Sequence, residues 1–83
     1  MTTEIERLRS WLAGLHEVPV IIDDDIDLIE SGLVTSLQFV SMVMEIERLH
    51  GSRLEPGVIT IEKMRTLRAI DAAVFRSRTE LTL

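Results

Sequence analysis

Cysteine is absent from this 83-residue chain, which excludes a disulfide framework and any thiolate metal site. Aromatic residues are scarce at 4%, so a core drawn from the 46% hydrophobic content has to be aliphatic: Leu, Ile, Val and Met. Long apolar runs are missing as well; none approaches the ~20 residues that a membrane-spanning helix needs. Positive charge is the minority sign, 9 Lys and Arg against 14 Asp and Glu, and the net charge is −5. Nucleic acid and anionic lipid surfaces both demand a positive footprint, so neither suits this chain as its main ligand. Met1 is followed by Thr-Thr-Glu rather than a basic and then apolar leader, and a cytoplasmic protein is expected. Internal repeats and low-complexity tracts are also lacking.

What is present is one small domain, near the size at which a single core only just supports folding. The charge is unevenly spread. Residues 1–51 carry ten acids against three Arg, and residues 52–83 carry four acids against six bases. The acidic half suits basic patches on protein partners. Thr3 with Glu6 forms a capping-box pattern, and Ile5, Leu8, Leu12 and Leu15 then share one face of a helix expected over 4–15. Trp11 lies beside that stripe as a core-edge residue. Gly14 and Pro19 bracket its end.

Residues 16–35 have no sustained period and read as a long loop, with Val20, Ile21, Ile22, Ile26, Leu28, Ile29 and Leu33 available to tuck it onto the core. A strand over 18–22 finds no partner strand. The second helix is the best-specified element. Thr35 and Gln38 form a T-x-x-Q capping box, and Val34 with Phe39 occupy the positions of a hydrophobic staple. Ser36 is then the first helical residue, with its hydroxyl where free N–H groups and the positive end of the helix dipole favour a phosphate ester.

This helix, Ser36 to about His50, has more apolar residues than one stripe can hold. Phe39, Val40, Val43 and Ile46 are expected on the core; Leu37, Met44 or both are left for solvent or a partner. Gly51 ends it in the C′ position. Pro56-Gly57 marks a turn. Thr60 caps a short helix through Met64, and Thr66 caps a last helix with Leu67, Ile70, Ala73 and Val74 on one face, expected to end near Arg78.

Three readings of chemistry compete at the level of residues. The run Asp23-Asp24-Asp25-Ile26-Asp27 with Glu30 fails as an EF-hand, which needs Gly at its sixth position and Glu at its twelfth; here those are Leu28 and Val34. A solvated acidic loop, offered to basic partners, is the expectation, and no metal site is expected. A serine hydrolase would need an oriented histidine beside Ser36 and an oxyanion hole; there is no G-x-S-x-G, and His16 and His50 are the only histidines. Modification of Ser36 has a physical rationale, and the alternative at this level is a serine serving only as a first-turn helix residue.

The run Asp27-Leu28-Ile29-Glu30-Ser31-Gly32-Leu33-Val34-Thr35-Ser36-Leu37 resembles the attachment motif of acyl and peptidyl carrier proteins, in which a Gly-(apolar)-x-Asp-Ser-Leu sequence supplies the modified serine. Ser36 and Leu37 match; Thr35 stands where that family has Asp, retaining the cap and losing the charge. The stretch 58–67, beginning Val58-Ile59-Thr60, is similar to that of discrete, free-standing carriers. The resemblance spans the chain from the first helix to about Phe75.

It implies an all-α four-helix bundle of the acyl-carrier type, with a long first loop and a short third helix, as one carrier domain over 1–83 ordered from about 4 to 78. It further implies 4′-phosphopantetheine on Ser36, transferred from coenzyme A by a phosphopantetheinyl transferase. An adenylating or acyl-loading enzyme would supply the cargo, and downstream acyl- or aminoacyl-processing enzymes would consume it. In that family acids of the second helix meet basic enzymes, so Glu45 and Glu47 join Thr35, Leu37 and Met44 as docking residues, although Ser41 replaces the usual acid five residues after the modified serine. The expected protein is a free-standing monomeric carrier, not an enzyme, in specialised-metabolite biosynthesis of the nonribosomal peptide or polyketide kind. The alternatives are an unmodified helical interaction module, and a fatty-acyl or polyketide carrier rather than an aminoacyl one.

Overall fold

The computed structural model describes residues 3–75. Four helices form the domain: α1 (Glu4–Ala13), α2 (Ser36–His50), α3 (Ile61–Met64) and α4 (Leu67–Ile70), the last continuing into a π-helical turn at Asp71–Phe75. A single 3-10 turn occupies Pro56–Val58, and the described residues contain no strand. The bundle is all-α, with the long first loop and short third helix that the sequence implies. No helix among the described residues is long and apolar enough to cross a membrane. The expected end of the last helix near Arg78 lies outside the described residues.

Each helix starts where a short polar side chain can take up an N–H three residues on. Thr3, Thr35, Thr60 and Thr66 all have extended backbone and accept from Glu6, Gln38, Lys63 and Ala69 respectively. Helix α1 stops at Ala13, two residues before the expected Leu15, because its last turn tightens: the Leu15 and His16 N–H groups reach back only three residues, to Leu12 and Ala13. Helix α2 ends at Gly51, whose φ of 90° lets its N–H close onto the Glu47 carbonyl.

The core is aliphatic, as the composition requires. Leu8 and Leu12 of α1 pack with Met42 and Ile46 of α2, and Met64, Leu67 and Ile70 complete the opposite wall. Helix α1 lies against α2 and against α4 with its π turn, and α3 packs on α4. The π-helical turn, with its i→i+5 pattern, ends with both Val74 and Phe75 buried in the core.

Two packing expectations are corrected. Val40 points to solvent, and Met42 takes the core position instead, because the face of α2 centred on Met42 and Ile46 is the one α1 covers. Ile21 is 93% exposed and does not tuck under the loop; Ile22 and Leu28 do.

Candidate functional site

The loop ahead of α2 is fastened at several points, and together they decide where Ser36 stands. His16 Nε2–H donates to the Leu33 carbonyl at 3.1 Å, tying the end of α1 to the turn before α2. Asp27 caps its own turn, with Oδ1 accepting from Ile29 N–H at 3.0 Å and Glu30 N–H at 2.8 Å. Gly32 then adopts φ 80°, which any other residue would adopt only under strain, and the chain reverses so that Val34 N–H reaches the Leu28 carbonyl at 2.9 Å. Val34 is buried, and the next residue begins the cap.

The capping box is complete. Thr35 Oγ1 accepts from Gln38 N–H at 3.2 Å, and Gln38 Oε1 accepts from Thr35 N–H at 2.9 Å. The box takes up two of the first N–H groups of the helix, so those of Ser36 and Leu37 are its remaining first-turn donors. Ser36 is exposed at the first helical position. Beside it lies an apolar groove of about 220 Å³ lined by Ile29, Val34, Thr35, Ser36, Phe39 and Ile61. The staple residues Val34 and Phe39 therefore also form one wall of that groove. Ile29 and Ile61, from the long loop and from α3, were not legible as neighbours of Ser36, since 25 residues separate Ile61 from it.

The acidic run stays at the surface, and three of its acids are paired with arginines there. Arg9 holds Asp24 and the Ile22 carbonyl. Arg68 grips Asp25 through two hydrogen bonds, at 2.6 and 3.0 Å, and Arg65 pairs with Asp27 at 2.9 Å. Two backbone bonds reinforce these pairs, Leu28 N–H to the Arg65 carbonyl at 2.7 Å and Arg68 N–H to the Asp24 carbonyl at 3.0 Å. The Arg68 guanidinium holds the Asp25 carboxyl below its ordinary range, and the Glu30 and Ile29 N–H groups with Arg65 do the same for Asp27. Asp24, Asp25 and Asp27 thus also clamp the loop, while remaining at the surface. The uneven charge of the two halves carried that signal, because a −7 segment and a +2 segment of one chain can satisfy each other.

The remaining residues of interest divide by surroundings. Leu37 and Met44 are exposed. Glu45 is paired with Arg48 one turn on, and Glu47 Oε2 accepts from Leu54 N–H at 3.0 Å, fastening the loop after α2. Among the described residues no group of three or more His, Asp or Glu side chains is placed to hold a metal ion.

This arrangement can present a primary alcohol, with free approach, at the positive end of a 15-residue helix. The model of the phosphopantetheine attachment site family matches residues 6–74, which takes in the whole site. A D-alanyl carrier protein of Abiotrophia defectiva is 37% identical over 70 residues, covering 83% of this chain and 89% of the relative. No solved structure matches the chain at a significant level.

Proposed function

The chain belongs to the phosphopantetheine attachment family and is a non-catalytic carrier protein whose cofactor is covalent 4′-phosphopantetheine; from that premise we propose that Ser36 is the attachment residue and that the cargo is an aminoacyl group. The observation that carries the first part is the exposed Ser36 at the first position of α2, inside the matched span and framed by a complete capping box. The residues fit the group. The Ser36 hydroxyl is accessible, the first-turn N–H donors and the helix dipole favour a phosphodiester, and the groove beside it is apolar. When bound, the arm supplies a terminal thiol that holds cargo as a thioester. The chain's own residues fix the point from which that arm swings, so the cargo reaches successive enzymes at high effective concentration.

The aminoacyl reading draws support from the D-alanyl carrier relative, and D-alanine is the first cargo to test. The stretch Val58-Ile59-Thr60, similar to that of discrete carriers, supports a role in specialised-metabolite biosynthesis, loaded in the cytoplasm by a separate adenylating enzyme after a phosphopantetheinyl transferase has acted.

Co-expression with a broad-specificity transferase, followed by intact-mass measurement, tests the attachment. The expected result is a gain of one phosphopantetheine, lost in Ser36→Ala. Incubation of the loaded form with adenylating enzymes, ATP and either D-alanine, L-amino acids or fatty acids then reads the cargo. Loading with a fatty acid but no amino acid would overturn the aminoacyl assignment.

A further inference from the structure

The turn that delivers Ser36 closes largely on itself. Gly32 N–H reaches the Ile29 carbonyl at 3.1 Å and Val34 N–H reaches the Leu28 carbonyl at 2.9 Å. Ser31 Oγ donates to the same Leu28 carbonyl at 3.4 Å and accepts from Leu33 N–H at 3.3 Å. These bonds fix the shape of the turn, but not where it stands against the bundle. Burial of Val34 holds the turn down, yet apolar contact is non-directional and would let it slide. The directional link to α1 is the bond from His16 Nε2–H to the Leu33 carbonyl at 3.1 Å. His16 stands on a firm base, because its own N–H closes onto the Ala13 carbonyl at 3.3 Å in the tightened turn that ends α1. A carbonyl can only accept, so Nε2 carries the hydrogen. The bond is partly buried, which strengthens it over one in open water.

Only Val34 and Thr35 stand between Leu33 and Ser36, and both are fixed, one by burial and the other by the capping box. A shift of the Leu33 carbonyl is therefore passed on to the serine oxygen. Transfer joins that oxygen to a phosphorus of coenzyme A; adenosine bisphosphate leaves, and the hydroxyl proton goes to a base of the transferase. Misplacing a reacting atom by about 1 Å can cost about 100-fold in rate. Resting on the attachment reading, we propose that His16 is a positioning residue for this transfer, holding the Ser36 oxygen in line with the phosphorus through Leu33.

The test uses the whole apo-protein, a broad-specificity transferase and coenzyme A, with rates read by intact mass. His16→Phe keeps a ring and removes the donor; it is expected to lower kcat about tenfold and to leave KM within about twofold, since the surface the transferase meets is unchanged. His16→Gln, whose amide N–H can stand near the place of Nε2, is expected to recover kcat to within about threefold of wild type. Thr3→Ala loses a cap at the opposite end of α1 and is expected to keep the wild-type kcat, which separates position from stability. An unchanged kcat in His16→Phe, a loss carried by KM instead, an equal loss in His16→Gln, or the same loss in Thr3→Ala overturns the positioning role while leaving Ser36 as the attachment residue. Nitrogen NMR of the neutral His16 ring in the wild-type chain depends on no variant folding: hydrogen on Nε2 supports the bond to Leu33, and hydrogen on Nδ1 overturns the proposal. Failure to modify Ser36 of the wild-type chain at saturating transferase removes the attachment reading, and this inference with it.

Discussion

Arg65 and Asp27 are joined at 2.9 Å through their side chains, while the Arg65 carbonyl accepts the N–H of the residue after Asp27 at 2.7 Å. Thirty-eight positions apart in the chain, they dock the α3–α4 corner onto the turn that leads to Ser36. Asp27 also caps that turn through its other oxygen. Asp27→Ala should therefore cost about 1–2 kcal/mol, the worth of a lost cap, in chemical denaturation. Asp27→Asn keeps an acceptor for the Ile29 and Glu30 N–H groups and should cost clearly less. Equal losses in the two variants would mean that the ion pair, not the cap, dominates.

Acid should loosen this clamp before it unfolds the bundle. The Asp25 and Asp27 carboxyls are held below their ordinary range in the fold, Asp25 chiefly by Arg68 and Asp27 chiefly by backbone N–H groups. Groups with lowered folded-state pKa bind fewer protons folded than unfolded, so their contribution is complete above about pH 4 and is lost as pH falls through the lowered values. Stability measured between pH 7 and pH 2 should decline only in that acid window. Asp25→Asn should flatten the decline. A slope between pH 5 and 7 would assign the effect to other groups.

Gly32 turns the chain with φ 80°, and a β-carbon there would meet nothing within 4 Å. Substitution to Ala is therefore a test of conformation alone. It should destabilise by about 1–2 kcal/mol, the cost of the left-handed region for an ordinary residue. A displaced Ser36 would show as slower transfer by the transferase.

The two faces of α2 predict opposite responses. Met42→Ala empties a fully buried site and should cost about 2–5 kcal/mol. Val40→Ala, on the open face, should stay within about 0.5 kcal/mol of wild type. Thermal or denaturant melts of the two variants decide it. Reversed magnitudes would return Val40 to the core.

Thr35→Asp offers a last comparison. Either residue can cap α2, and a carboxylate adds a favourable charge at the helix start, so stability should rise by about 0.3–1 kcal/mol. Thr35→Ala, which leaves the Gln38 N–H without its acceptor, should lose about 1 kcal/mol.

Much of the fold was legible because helix starts are short-range events. Thr3, Thr35, Thr60 and Thr66 each act on an N–H three residues away, so the boundary is written in four consecutive residues. The position of Ser36 at the mouth of α2, and the family to which the surrounding motif points, came from the same local information. Helix faces were less legible. Helix α2 has eight apolar residues from Leu37 to Leu49, and the sequence offered no way to rank Val40 against Met42.

The sequence alone thus determined where the helices begin, that the core is aliphatic, and that a serine opens α2 behind a capping box. Tertiary structure decided which side of α2 is covered, that Ile29 and Ile61 flank Ser36, and that Asp24, Asp25 and Asp27 pair with arginines distant in the chain. The physical reason is distance along the chain. Caps close within one helical turn, whereas the contacts of Arg68 with Asp25 and of Arg65 with Asp27 exist only after α1, α3 and α4 have packed around a common core.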